Sequence, residues 1–166
     1  MTVVIVDYGM GNLLSLKSAI LKISGNTKVV ISHDKKIIKN SNAIFLPGVG
    51  HFKRAMESLK NLDLIDTIQD QVLNEKKPVF GICLGMQLLF SRSEEGGDIP
   101  GLNIVKGRVQ NLMKGNCKIP HIGFNSVYCN SKSLMMKDIC TKDFYFVHSY
   151  CVESLSDEIV KIFCDH

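Results

Sequence analysis

The sequence predicts an α/β fold: a doubly wound, mostly parallel sheet with helices on both faces and a β-rich second half. Two observations carry this. Up to about residue 90, short all-apolar runs alternate with segments whose apolar residues recur at helical spacing. Continuous apolar strands are buried on both faces, and parallel pairing needs helical crossovers between them. From about residue 93 the pattern changes to alternating apolar and polar residues, as in half-buried antiparallel strands. A length of 166 residues suits one domain with a sizeable core, and residues 1–166 read as one unit without internal repeat, linker or low-complexity tract.

The elements follow in order. "VVIV" (3–6) is a β-branched run ending at Asp7-Tyr8-Gly9, a strand and a turn. Asn12 then caps a helix that carries Leu13, Leu16, Ile20 and Ile23 on one face and stops at Gly25. "KVVI" (28–31) and "AIFL" (43–46) are further strands. "FKRAMESL" sets Phe52, Ala55, Met56 and Leu59 on one helical face, and the next helix turns Ile65, Ile68 and Val72 inward. "PVFGI" (78–82) is a strand, and "LGMQLLF" (84–90) turns directly into a helix. "SEEGGDIPGLN" reads as a loop. "NIVKGRVQ", "FNSVYC", "DFYFVHSYCVE" and "EIVKIFC" read as antiparallel strands.

Composition removes several function classes. No apolar run approaches the ~20 residues that span a bilayer. The opening "MTVVIV" is too short for a signal-peptide core and is broken by Asp7, so the expectation is a cytoplasmic protein with no membrane association. The formal charge of +4 is modest, Lys35-Lys36 and Lys76-Lys77 read as solvated ends, and no basic stripe interleaves with aromatics. Nucleic acid is therefore not an expected partner. Cysteines stand at 83, 117, 129, 140, 151 and 164 with no C-x-x-C among them, so neither a metal site nor a redox dithiol is expected. For Cys117, Cys129, Cys140, Cys151 and Cys164 the expectation is a small buried hydrophobe.

Cys83 is different. "GICLG" (81–85) is the G-x-S-x-G pattern of a nucleophile elbow with sulfur in place of oxygen, after an apolar strand and before a helix. A thiol there meets the positive end of the helix dipole, which favours the thiolate. The N–H of Leu84 just past it is placed to steady an oxyanion. A lone cysteine in a tight turn is more often a core residue, but the strand, glycines and helix together reverse that preference. "FLPGVGHF" (45–52) ends a second strand with Gly48 and Gly50, and loops at the carboxyl ends of parallel strands line a ligand crevice. The N–H groups of Val49 and Gly50 could converge there with that of Leu84. Gln87, one helical turn past Cys83, could reach a substrate at the sulfur. "FVHSY" (146–150) ends an aromatic strand, where Ser149 or backbone N–H groups could hold a carboxylate. His148 at such a strand end is more often structural than a base for Cys83.

"PGVG", "GICLGMQLLF" and "YFVHSY", with "DYGMGNLLSLKSA" near the start and "PHIGFNSV" at 120–127, resemble the class I glutamine amidotransferases along the whole chain. Within that class the pattern is most similar to the glutaminase subunits of imidazole glycerol phosphate synthases. The resemblance implies a Cys–His–Glu triad that hydrolyses L-glutamine without a cofactor. It also implies a heterodimer in which ammonia passes to a synthase (cyclase) subunit, a (β/α)8 barrel of histidine biosynthesis. By position it makes Cys83 the nucleophile, and Val49, Gly50 and Leu84 the oxyanion backbone. Gln87, Ser149 and Tyr150 become the glutamine pocket. Gly9, Met10, Gly11, Asn12, Phe124 and Asn125 face the partner, with Phe124 standing where the family usually has tryptophan.

The family's triad histidine and glutamate lie in an H-P-E motif beyond "YFVHSY", and no H-P-E occurs in residues 1–166. The expectation is a chain that lacks its last strands and helix together with those two residues; His148 does not match the catalytic position. Three other readings remain open. Ammonia could serve amidation of a surface sugar instead, since the acceptor chemistry sits on the partner. The chain could be a non-catalytic docking subunit. A dinucleotide-binding module would use "GMGNLL" (9–14), but Leu14 stands where close packing wants glycine or alanine, and "GICLGMQ" would go unexplained.

Overall fold

The computed structural model describes residues 1–112, 119–129, 139, 141–153 and 162–164. The first half holds β1 (Thr2–Val6), α1 (Leu13–Ile23), β2 (Lys28–Ser32), α2 (Lys35–Asn40) and β3 (Ala43–Gly48). It continues through α3 (Phe52–Asn61), α4 (Ile65–Leu73), β4 (Val79–Cys83) and α5 (Leu84–Leu88). The four strands form one parallel sheet in the order β2-β1-β3-β4. The chain leaves β1 towards β2, then returns past it to β3 and β4. Right-handed crossovers therefore set α1 on one face and α2, α3 and α4 on the other. The expected doubly wound sheet is present, with its switch point between β1 and β3.

The two faces are not equally packed. Val4, Val6, Ile44 and Leu46 join Ile38, Phe52, Ala55, Leu59, Leu64 and Ile68 in a single buried core. That core continues through Leu88, Phe90 and Leu102 to Val109, so the β-rich half shares it. On the opposite face α1 contributes no fully buried residue. Leu13, Leu16 and Ile20 are half-buried, but Ile23 is exposed, which corrects the expectation that it points inward. Phe80 on β4 rests its ring 5.6 Å from that of Phe45 yet is 49% exposed, because α1 sits over β2 and does not reach that edge.

Two local assignments also change. Lys35–Asn40 form α2, where the sequence suggested only solvated lysines. Asp34 caps it by accepting from the N–H groups of Lys36 and Ile37, and Ile38 anchors it in the core. The helix expected over 84–90 is only five residues long. The N–H groups of Leu102 and Asn103 capture the carbonyls of Leu88 and Phe90, and those of Ile104 and Val105 both take Leu89. Tertiary partners thus take the carbonyls a longer helix would have used, and Phe90 starts a strand.

The second half adds β5 (Phe90–Ser93), β6 (Ile99–Pro100), β7 (Val105–Asn111), β8 (His121–Ser126) and β9 (Tyr128–Cys129). Beyond these come β10 (Asp143–His148), β11 (Tyr150–Glu153) and β12 (Ile162–Phe163). They form a sheet β11-β7-β5-β6 and two ribbons, β10-β8 and β12-β9. β6 lies inside the stretch expected to be loop. All these pairings are antiparallel except β5 with β7. "DFYFVHSYCVE" is split at Ser149, with β10 in one layer and β11 in another. Of the cysteines expected to be core hydrophobes, Cys151 and Cys164 are half-buried. Cys117, Cys140 and the side chain of Cys129 lie outside the described residues.

Candidate active site

The loops after β1, β3 and β4 meet at the carboxyl edge of the parallel sheet, beside its switch point, where open α/β sheets bind ligands. Cys83 ends β4 with φ 52° and ψ −115° and is exposed. A non-glycine residue held at positive φ costs on the order of 1–3 kcal/mol and persists only where its surroundings enforce it. Here the flanking glycines permit it. A Cβ on Gly81 would stand 2.4 Å from Met86 Cα, and one on Gly85 would stand 1.7 Å from the Leu46 carbonyl oxygen. The turn therefore folds so tightly onto β3 and itself that only glycine fits on either side of the thiol. The helix behind Cys83 spans barely more than one turn, so its dipole contributes less than the sequence suggested.

The β3–β4 register sets Gly48 directly opposite Cys83, so Val49 and Gly50 leave the sheet at the flank of the thiol. Val49 is exposed, and Gly50 has φ +121°. Gly48 is wedged as well: a Cβ there would meet Tyr8 Oη at 2.4 Å and Gly85 N at 3.0 Å. The Tyr8 hydroxyl donates to the Pro47 carbonyl at 2.5 Å and ties the β1 loop to the β3 loop. Burial, and secondarily the charge of Cys83, holds the Tyr8 phenol above the usual tyrosine range. Gly11 approaches Gly48 N to 3.4 Å, measured from its would-be Cβ, and Met10 Sδ lies 3.9 Å from that of Gly50. Gly9, Met10 and Gly11 thus lie against the loop beside Cys83. Asn12 is exposed and uses its side-chain oxygen to cap α1 on Ser15 N.

Gln87 is half-buried on α5, and its Nε2 donates to the carbonyl of Tyr150 at 3.2 Å. Ser149 and Tyr150 are half-buried where β10 passes into β11, and the Ser149 carbonyl accepts from Leu112 N. Tyr150 meets Gln87 through its main chain while its side chain packs on the core. His148 Nδ1 bonds the same Tyr150 carbonyl at 2.9 Å, and its Nε2 lies 3.1 Å from His121 Nδ1. Both ring nitrogens are engaged, so this His has none to offer Cys83 in this arrangement.

The β8–β10 ribbon has two distinct faces. Its register pairs Phe124 with Tyr145 and Ile122 with Val147, all four exposed, at 58–73%. The other face carries His121, Asn125, Phe146 and His148. Phe124 and Asn125, expected side by side at a partner surface, therefore point to opposite faces. Successive strand residues alternate, so Asn125 meets His121 Nε2 at 3.2 Å while Phe124 faces outward. The sequence reading missed Tyr8, His121, Ile122, Tyr145 and Val147. The alternation in "HIGFNS" and "DFYFVH" marked the last four, but only the pairing shows which face is buried.

An exposed thiol on a strained strand–turn–helix, at the carboxyl edge of a parallel sheet, defines a class of α/β protein with a nucleophile elbow. Residues 4–166 match the family model of glutamine amidotransferase class-I, and the chain belongs to that family. It is 43% identical to the imidazole glycerol phosphate synthase subunit HisH of Aquifex aeolicus, over 96% of this chain and 76% of that one. It is 47% identical to the same-named subunit of Caldanaerobacter subterraneus subsp. tengcongensis, over 89% of this chain and 71% of that one. A crystal structure of a glutamine amidotransferase superposes with a TM-score of 0.70 at 17% identity, covering 93% of this chain and 75% of the other, which supports the fold. Among the described residues no helix is long and apolar enough to cross a membrane.

Proposed function

We propose that this protein is the glutaminase subunit of an imidazole glycerol phosphate synthase, working in the cytoplasm as a heterodimer with a (β/α)8-barrel cyclase subunit. The observation that carries the chemistry is Cys83 held at positive φ between Gly81 and Gly85, opposite the Gly48–Gly50 loop. The Cys83 thiolate attacks the side-chain carboxamide carbon of L-glutamine. The N–H groups of Leu84 and of Val49 or Gly50 receive the oxyanion of the tetrahedral intermediate. Collapse breaks the C–N bond, and the departing nitrogen takes a proton to leave as ammonia. Water then cleaves the γ-glutamyl thioester to glutamate and restores the thiol. Gln87, Ser149 and the Tyr150 backbone hold the amino-acid end of the substrate. The proton carrier is the His–Glu pair that the family resemblance places in an H-P-E segment. His148 is not used as the base in this reading, since both its ring nitrogens face other partners.

Ammonia passes to the cyclase, whose docking surface we place at the exposed Phe124 side of the β8–β10 ribbon and at Gly9–Asn12. The names of the HisH relatives support this reading. The test is ammonia release from L-glutamine, with the cyclase subunit, by residues 1–166 joined to an H-P-E segment, beside the same protein with Cys83→Ala. Release that survives the substitution would refute Cys83 as nucleophile.

A further inference from the structure

A continuous line of hydrogen bonds runs from the inner face of the β8–β10 ribbon to α5. His148 Nδ1 and Gln87 Nε2 both reach the carbonyl oxygen of Tyr150, at 2.9 and 3.2 Å. A carbonyl only accepts, so His148 carries its proton on Nδ1 and Gln87 presents its amide N–H. In a neutral His148, Nε2 is then an acceptor, and His121 Nδ1, 3.1 Å away, donates to it. His121 is 2% exposed, stacks on Phe146 with ring centroids 4.7 Å apart, and has Asn125 Oδ1 3.2 Å from Nε2. A neutral His121 that donates from Nδ1 takes this contact with the Asn125 amide turned to present its Nδ2–H. With that amide so turned, donation runs in one direction, from Asn125 through His121 and His148 to the Tyr150 carbonyl. Gln87, with its N–H turned to that carbonyl, leaves Oε1 as an acceptor for an ammonium group. Without the imidazole proton, the Tyr150 carbonyl could rotate and Gln87 could flip its amide, presenting donors where an ammonium needs an acceptor.

We propose that the His121–His148 imidazole pair is a positioning relay that fixes the Tyr150 carbonyl and, through it, the amide orientation of Gln87, and so sets the affinity for L-glutamine. The proposal rests on the glutaminase reading above. His148 is a positioning residue that acts through Gln87.

The experiment follows alkylation of Cys83 by the diazo-ketone analogue of L-glutamine in the full-length protein with its cyclase subunit. The half-saturating concentration is read separately from the limiting rate. Iodoacetamide, which has no amino-acid end, reports the reactivity of the thiol itself. Loss of one neutral hydrogen bond predicts that His148→Leu raises the half-saturating concentration about three- to tenfold. The limiting rate and the iodoacetamide rate should stay unchanged. His148→Asn, whose amide N–H can take the place of Nδ1–H, should return it to within about twofold of the parent. In a Gln87→Leu background, His148→Leu should add nothing, since the two act through one interaction. The relay is overturned if His148→Asn behaves like His148→Leu, if the effect persists in full without Gln87, or if iodoacetamide slows in parallel. If labelling of the unsubstituted protein does not saturate, the glutaminase reading itself fails, and the relay with it.

Discussion

At Cys83 the backbone and the chemistry make the same demand. A thiol that must stand clear of the sheet edge needs a sharp turn, and a sharp turn against β3 leaves no room for a Cβ at 81 or 85. Gly85→Ala should therefore cost about 3 kcal/mol of stability, the upper range for overpacking a well-packed site, because its methyl would meet the fixed Leu46 carbonyl rather than a mobile side chain. Chemical denaturation measures it. A glutamine-shaped affinity label should modify Cys83 and spare Cys151 and Cys164, which are half-buried; comparable labelling of either, seen by mass spectrometry, would contradict the assignment. Tyr8 makes a prediction in pH. Its folded phenol is held above the ordinary range, while the unfolded chain's ionises near pH 10. Above about pH 10 the unfolded state thus binds fewer protons than the folded one, and stability falls as the pH rises towards the folded value. Tyr8→Phe should lose about 1–3 kcal/mol at neutral pH, because the Pro47 carbonyl is left unpaired, and should decline less steeply above about pH 10.

At the scale of the element, the β8–β10 ribbon joins two roles that its alternation keeps apart. One face shows Ile122, Phe124, Tyr145 and Val147 to solvent, and the other holds the imidazole pair. The rings of Phe124 and Tyr145 lie edge to face with centroids 5.2 Å apart. Such a rigid aromatic pair is well suited to anchor a docked surface. Tyr145→Asp should weaken binding of the cyclase subunit by about 30-fold, the effect of a hot spot worth roughly 2 kcal/mol, and leave thermal unfolding almost unchanged. Calorimetric titration against the cyclase reads the first quantity and a melting curve the second. Equal loss of binding and of melting temperature would mean that the pair stabilises the ribbon instead.

For the whole molecule, the loops at the carboxyl edge form one stack. Gly11 lies on Gly48, Met10 on Gly50, and Tyr8 on Pro47. A partner that presses on residues 9–12 therefore acts within two residues of the proposed oxyanion backbone. Gly50, at positive φ, can exchange between peptide orientations that other residues resist. Glutamine hydrolysis should accordingly rise by at least about tenfold when the cyclase is bound, as a population shift of that loop worth about 1.4 kcal/mol. Equal rates with and without the cyclase would sink this coupling. Residues 1–166, assayed with the cyclase, should release ammonia orders of magnitude more slowly than a relative that carries the H-P-E segment. Members of a catalytic triad act as a unit, and the thiol alone cannot protonate the leaving nitrogen.

Much of this was legible in the sequence because it depends on local geometry. Apolar runs and helical spacing located all four strands of the parallel sheet β2-β1-β3-β4 and the helices α1, α3 and α4. "GICLG" is a backbone requirement written in residue types, and the structure shows Cys83 on the turn that pattern describes. What the sequence could not decide depends on pieces distant along the chain. The length of α5 was settled by residues 102–105, which capture its last carbonyls. The direction of Asn125 was settled by pairing with β10, since a strand's alternation says which residues share a face but not which face is covered. His148 was ambiguous for the same reason. An imidazole takes its role from what meets its two nitrogens, and here both partners, His121 and the Tyr150 carbonyl, were brought to it only by the fold.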